Sequence, residues 1–311
     1  MCIRDRHSLP RKQARRLTWI QLRLDTRPED VEALETLMLA AGAVAVTLQD
    51  NADQPVLEPA VGETPLWCRV RITGLYPADA DMDAVLRTFP DDLLADTGAR
   101  VEILEDKDWE REWMQHYRPM KFGRRLWVCP SWLAPPDPDA INLLLDPGLA
   151  FGTGTHPTTA LCLAALDSLD LDGKTVVDYG CGSGILAVAA LKLGAQRVLG
   201  VDNDPQALLA SRDNAARNGL PTEALPVALP TDPEVDNWAG AADVVVANIL
   251  AGPLIQLADT LVGLLRPRGS LLLSGLLESQ AAEVCERYAS RVALEIRGCD
   301  EGWVCLGGTL T

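Results

Sequence analysis

The sequence predicts an α/β fold in which a doubly wound, Rossmann-like sheet follows a small N-terminal α+β domain of the ferredoxin-like type. Three observations predict it. From Asn142 onward, helical segments alternate with short apolar strands, which is typical of a parallel sheet covered on both faces. Residues 18–104 instead follow the order β-α-β-β-α-β of a ferredoxin-like sandwich. A glycine-rich turn between Asp178 and an apolar helix has the strand–turn–helix form of a nucleotide-binding fold.

In the small domain, period-two alternation of apolar residues marks four strands, and helical spacing of apolar residues marks two helices. Val31, Leu34 and Met38, for example, share one face of the first helix. The predicted strands cover residues 18–24, 43–48, 67–72 and 99–104, and the predicted helices begin at Pro28 and Asp81.

A connector is predicted after the small domain. It should begin with a short helix in which Trp109 and Trp113 share one face and pack against a domain. A strand is expected over residues 125–129, and the prolines that follow it indicate a linker. The chain therefore divides into four predicted parts: residues 1–16, a non-native or disordered segment; 17–104, the small domain; 105–140, the connector; and 141–311, the larger domain.

The larger domain alternates between helices and buried strands and has no internal repeat. Its clearest strand is the uninterrupted apolar run that ends at Asn248. The predicted strands cover residues 175–178, 197–202, 225–229, 243–248 and 270–274, and two terminal strands follow them. The predicted helices cover residues 158–169, 185–191, 205–218, 258–265 and 279–291.

Composition limits the partners and the compartment. The net charge is −16, and without the basic segment 1–16 the remaining 22 basic and 43 acidic residues give −21. This charge disfavours a nucleic-acid backbone and suits a basic polypeptide, although solubility alone is the simpler explanation of the charge. No apolar stretch is long enough to span a bilayer, and the eight cysteines form no C-x-x-C pair, so neither a membrane span nor a metal site is expected. Dispersed cysteines of this kind are typical of reduced thiols in a cytoplasmic protein.

The run from Asp178 to Gly184 indicates the cofactor. A dinucleotide fingerprint requires G-x-G-x-x-G, but Ile185 occupies the position of its third glycine. The spacing D-x-G-x-G-x-G instead resembles the S-adenosylmethionine site of class I methyltransferases. Gly180 and Gly182 are expected to let the backbone approach this ligand, and Asp178 is expected to bind its ammonium group directly or through water.

Two further candidates lie at the ends of predicted strands, where the ligands of such sheets bind. Asp202 is expected to accept hydrogen bonds from both ribose hydroxyls. Its alternative role is N-cap of the next helix, for which Asn203 and Asp204 compete. Asn248 is expected to accept a hydrogen bond from an incoming amine and to orient its lone pair, and an ordinary strand-end cap is the alternative.

A loop rich in glycine and threonine leads from Asp146 to Thr159 and into a helix. It is not a P-loop, because no Gly-Lys-Ser/Thr follows. We expect it to close over the cofactor, with Phe151 as an apolar contact and a threonine such as Thr155 as a polar one. A flexible loop with ordinary helix capping is the alternative, and His156 by itself does not indicate a general base.

Together these segments resemble the bacterial methyltransferases of ribosomal protein L11. The similarity extends from Trp19 to the C-terminus and includes the connector. The segments that carry it are residues 149–159, 178–184, 201–205 and 247–250.

The resemblance implies a substrate-recognition domain followed by a class I methyltransferase domain. It implies S-adenosylmethionine-dependent methylation of lysine side chains and of the N-terminal α-amino group of large-subunit ribosomal protein L11. It also implies a cytoplasmic monomer that needs no nucleic acid, membrane or metal. Carried over by position, cofactor contacts fall on Thr159, Gly180, Asp202 and Asn248, with Phe151 and Thr155 in the matching loop.

Two alternatives stay open. One is a methyltransferase for an amine of another protein or of a nucleic acid, although the run Ile249-Leu250-Ala251 after Asn248 lacks an aromatic that would stack a flipped base. The other is a non-catalytic, ribosome-associated binding module that has kept the fold.

Overall fold

The structure is a computed structural model that describes residues 19–52, 66–94, 97–104, 117–146 and 156–311. The chain divides into two compact units, one formed by the residues up to Met114 and one by the residues from Gln115. Among the described residues, no helix is long and apolar enough to cross a membrane.

The first unit is a four-stranded antiparallel sheet with helices. Its elements are β1 (Trp19–Thr26), α1 (Val31–Ala40), β2 (Ala45–Asp50), β3 (Val70–Pro77), α2 (Met82–Leu86), α3 (Asp91–Leu94) and β4 (Arg100–Leu104). The strands lie in the order β2-β3-β1-β4, and all neighbours are antiparallel. This arrangement confirms the predicted small α+β domain, with α3 as an additional short helix.

The core of the first unit is made by the alternate residues of the sheet and the apolar face of α1. Leu22, Leu24 and Ile72 from the strands are fully buried in one cluster with Leu34 and Met38 of α1. Burying a side chain of this size stabilises the fold by about 1.5–3 kcal/mol. The predicted apolar face of the first helix is therefore the face that packs.

A three-stranded sheet opens the second unit. Its strands are β5 (Met120–Phe122), β6 (Leu126–Cys129) and β7 (Ile141–Leu144), with β5 antiparallel and β7 parallel to β6. The strand expected over residues 125–129 is confirmed as β6, whereas β5 and β7 were not predicted because their pairing with β6 defines them rather than a pattern of their own. Residues 1–16 and the predicted helix with Trp109 and Trp113 lie outside the described residues.

The main sheet of the second unit is mostly parallel. Its strands are β8 (Thr175–Tyr179), β9 (Arg197–Val201), β10 (Val227–Ala228), β11 (Ala242–Asn248), β12 (Leu265–Leu277), β13 (Glu295–Asp300) and β14 (Trp303–Thr309). They lie in the order β10-β9-β8-β11-β12-β14-β13, parallel from β10 to β12 and antiparallel beyond. The strand order reverses between β8 and β11, as in a doubly wound sheet, so the predicted fold class is confirmed.

Helices cover both faces of this sheet. They are α4 (Pro157–Ser168), α5 (Ile185–Lys192), α6 (Pro205–Arg217), α7 (Pro233–Asp236), α8 (Ala251–Gln256), α9 (Ala258–Leu264) and α10 (Ala281–Tyr288). Val176 belongs to one buried cluster with Leu163 of α4, and its neighbour Val177 belongs to another with Leu261 of α9. Successive residues of one strand thus enter two cores, which explains the uninterrupted apolar runs in the sequence.

Candidate active site

The glycine turn joins β8 to α5 at the point where the strand order reverses. Gly180, Gly182 and Gly184 have φ angles of 79°, 53° and 75°, in the left-handed region that favours glycine. Gly184 is the N-cap of α5, and a Cβ on it would lie 2.9 Å from the Cα of Ser211 on α6. The turn and the packing of α6 therefore both exclude a side chain there.

Asp202 follows β9, and its carboxylate ties the glycine turn to the next loop. Oδ2 accepts a hydrogen bond from the Gly182 N–H at 2.8 Å, and Oδ1 accepts one from the Asp204 N–H at 3.0 Å. The N-cap of α6 is Asp204, whose side chain accepts from the Gln206 N–H at 2.8 Å. The capping role considered for Asp202 thus belongs to Asp204.

Asp178 of β8 is fully buried. Its Oδ2 accepts a hydrogen bond from the N–H of Ala187 in α5 at 3.0 Å, and its Oδ1 has no partner among the described residues. Burial raises the pKa of this carboxyl group from 3.8 to about 7, because the charged form loses its water. The Ala187 hydrogen bond opposes that rise, and the nearby charge of Asp202 adds to it.

Asn248 ends β11, between β8 and β12. Its Nδ2 donates a hydrogen bond to the Oγ1 of Thr159 on α4 at 3.3 Å. Its Oδ1 is buried and has no partner within the described parts of the chain. The amide is therefore held from one side and presents an unused acceptor on the other.

These segments surround a cavity of about 690 Å³ at the C-terminal ends of the parallel strands. Four of the residues proposed from the sequence line this cavity: Gly180, Gly182, Asp202 and Asn248. Two others do not line it because they are fully buried, namely Asp178 and Thr159. The remaining two, Phe151 and Thr155, lie outside the described residues. The structure thus brings together four of the candidates around one space large enough for a small molecule.

Most of the apolar lining was not identified from the sequence. Tyr179, Ile249 and Leu250 line the cavity. The sequence feature that could have identified them is their position just after Asp178 or Asn248. Trp303 also lines it, and no motif marks this residue because only the antiparallel return of β14 brings it there.

His156 lines the cavity beside Trp303, with the two ring centroids 5.0 Å apart in an edge-on arrangement. It is also the N-cap of α4, where its Nδ1 accepts a hydrogen bond from the Thr158 N–H at 3.3 Å and lies 2.8 Å from the Thr158 Oγ1. The cap therefore occupies Nδ1. Within the described ranges, no group of three His, Cys, Asp or Glu side chains is arranged to hold a metal ion.

Comparisons with known proteins identify the family. Residues 18–311 match the family described as ribosomal protein L11 methyltransferase (PrmA). A relative with that name from Teredinibacter turnerae is 53% identical over 295 residues, which cover 94% of this chain and 97% of the relative. Another from Vibrio cholerae is 54% identical over 296 residues, which cover 94% of this chain and 99% of the relative.

A solved structure agrees with these relatives. The ribosomal protein L11 methylase from Lactobacillus delbrueckii subsp. bulgaricus is 33% identical to this chain, with a TM-score of 0.55. The match covers 63% of this chain and 100% of that one. The family expected from the sequence is confirmed, and the chain belongs to the ribosomal protein L11 methyltransferases.

Proposed function

We propose that this chain transfers methyl groups from S-adenosylmethionine to lysine side chains and to the N-terminal α-amino group of ribosomal protein L11. The names of the relatives support L11 as the substrate. The observation that supports an amine as methyl acceptor is the unpartnered Oδ1 of Asn248, a residue that lines the cavity. A carbonyl oxygen only accepts hydrogen bonds, so it suits an attacking group that has a hydrogen to donate, such as an amine.

The residues around the glycine turn fit the methyl donor. The glycine turn leads into α5, and the N-terminus of this helix would favour the carboxylate of S-adenosylmethionine. Asp202 lines the cavity and would hold the ribose hydroxyls. Asp178 does not line the cavity, and its unused oxygen would hold the ammonium through water. When bound, S-adenosylmethionine supplies an electrophilic methyl group on a sulfonium, whose thioether is a good leaving group.

The task left to the protein is to position a neutral amine in line behind that methyl group. Asn248 would orient the lone pair of the amine through Oδ1 while Thr159 holds the other end of the amide. Phe151 and Thr155 would complete the site from the preceding loop. Positioning of this kind can supply about 7–11 kcal/mol of the barrier.

The amine must lose a proton before it attacks, because its ordinary pKa is about 10.4 for lysine and about 7.7–8.0 for an α-amine. The titratable side chains that line the cavity within the described residues are His156, Tyr179 and Asp202. The Nδ1 of His156 is used by the helix cap, Asp202 already holds backbone N–H groups, and burial raises the pKa of Tyr179. We therefore assign proton loss to water rather than to a side chain.

The remaining partner assignments rest on charge and on family membership. The net charge of −16 favours a basic polypeptide over nucleic acid as the partner. The small domain predicted over residues 17–104 would recognise the substrate, and the protein would act as a cytoplasmic monomer.

Labelled S-adenosylmethionine, incubated with the purified protein and separated ribosomal components, tests this function. We expect the label in L11, and peptide mapping should place it on lysines and on the N-terminus. Label in RNA alone, or in another ribosomal protein alone, would contradict the proposal. Asn248→Ala should lower the single-turnover rate by about 10²-fold, the scale of a lost orienting contact.

A further inference from the structure

Ile249, the residue after Asn248, lies in a slot between two glycines that come from the strands on either side of β11. Gly180 follows β8, and Gly275 belongs to β12. A Cβ on Gly180 would overlap the Cγ2 of Ile249. A Cβ on Gly275 would overlap the carbonyl oxygen of Ile249 and lie 2.7 Å from its carbonyl carbon and 3.0 Å from its nitrogen.

The two sides of this slot differ in kind. Gly180 faces the end of a side chain, which can rotate or be shortened. Gly275 faces the main chain of Ile249, which cannot move away without moving Asn248, to which it is covalently joined. Gly275 also lies at φ 89°, in the left-handed region that favours glycine.

The slot compensates for weak restraint of the Asn248 side chain. The hydrogen bond to Thr159 spans 3.3 Å, beyond the usual range for such bonds, and Oδ1 has no partner in the described parts of the chain. Side-chain bonds alone therefore do not fix the amide. The position of the Ile249 main chain relative to β12 therefore determines the position of the Asn248 side-chain amide at the cavity.

We propose that Gly275 is a positioning residue for methyl transfer, which acts by fixing the Ile249 main chain and, through it, the amide of Asn248. This inference rests on the proposed role of Asn248 as the group that orients the amine. A Cβ at position 275 would push the Ile249 main chain away by most of an ångström, since ordinary contacts begin near 3.4 Å. A misplacement of about 1 Å can cost about 10²-fold in rate.

The first test is Gly275→Ala, measured beside Gly240→Ala. Gly240 is the matched control because it also has positive φ, at 67°, and a Cβ on it meets nothing within 4 Å. We expect Gly275→Ala to lower kcat by about 10²-fold, with KM for L11 and the Kd for S-adenosylhomocysteine changed less than about threefold. Gly240→Ala should keep the kcat of the wild type. Wild-type kcat in Gly275→Ala, or equal losses in both variants, would overturn the proposal.

A double-mutant cycle separates this inference from the role of Asn248. If Gly275 acts through Asn248, Gly275→Ala should lower kcat less than about threefold once Asn248 is alanine. Full additivity of the two losses would overturn the inference and leave the role of Asn248 intact. An Asn248→Ala variant with wild-type kcat would instead refute the proposed role of Asn248.

Ile249→Ala provides a second variant in case Gly275→Ala does not fold, since it loosens the slot without adding an atom. It removes the side chain that fills the space beside Gly180, and we expect kcat to fall at least about tenfold. The loss should again disappear in the Asn248→Ala background. Retention of wild-type kcat by Ile249→Ala would count against the slot.

Discussion

Asp178 should make the free energy of unfolding of the cofactor-free protein depend on pH. Burial raises the pKa of its carboxyl group from 3.8 to about 7. Below pH 3.8 both the native and the unfolded state hold the proton. Between the two pKa values the native state keeps it and the unfolded state loses it, so the free energy of unfolding falls as the pH rises. Above about pH 7 both states are ionised and the fall ends.

Asp178→Asn removes this dependence, because an amide stays neutral and its oxygen can still accept from Ala187. With a pKa of about 7 in the native state and 3.8 in the unfolded state, Asp178 lowers the free energy of unfolding of the wild type by about 2.5 kcal/mol between pH 5 and pH 7.5. We therefore expect the stability of Asp178→Asn, relative to wild type, to improve by about 2.5 kcal/mol over that interval.

Urea unfolding followed by circular dichroism at several pH values measures this difference. Asp213→Asn is the control for the loss of one carboxylate, since Asp213 lies exposed on α6. A difference between Asp178→Asn and wild type that is flat from pH 5 to pH 7.5 would refute the account of the buried carboxyl group.

Three further predictions concern the cofactor and the fold. In the wild type, the affinity for S-adenosylmethionine measured by calorimetry should fall about tenfold per pH unit below pH 7, because the proposed contact with its ammonium group requires an ionised Asp178. A flat profile would remove Asp178 from the site. Asp202→Ala should raise the Kd by at least about tenfold, because it removes the proposed ribose acceptor and frees the Gly182 N–H, and an unchanged Kd would place the ribose elsewhere. Asp167→Ala should destabilise the second unit by about 3 kcal/mol, because Asp167 is buried and accepts two hydrogen bonds. These come from the Arg124 N–H at 2.6 Å and from the Arg125 Nε–H at 3.0 Å. Unchanged thermal unfolding would show that these bonds do not stabilise the fold.

The fold was largely predictable because local patterns and packing agree. The run that ends at Asn248 is uninterrupted because its neighbouring residues enter two cores. The short strands β5 and β7 escaped prediction because they are defined by pairing with β6 rather than by their own pattern. The strand predicted over residues 225–229 is present as β10, but only Val227 and Ala228 pair with β9.

Residues of the candidate site were predictable where a sequence motif lies at the end of a strand. Residues that reach the site only through the pairing of strands distant in sequence were not predictable. The spacing of the glycines and the positions of Asp202 and Asn248 place them on one cavity. Trp303 and Gly275 could not be found this way, because only the pairing of β12 with its neighbours brings them to the cavity. The burial of Asp178, which sets its pKa, is likewise a property of packing.

The central claim is that this chain methylates amines of L11 at the cavity beside Asn248. Its most direct test is intact-protein mass spectrometry of purified L11 after incubation with S-adenosylmethionine and either the wild type or Asn248→Ala. We expect the wild type to add methyl groups to L11 successively, at lysines and the N-terminus, and Asn248→Ala to transfer them about 10²-fold more slowly. An unmodified L11, or equal rates for the two proteins, would contradict it.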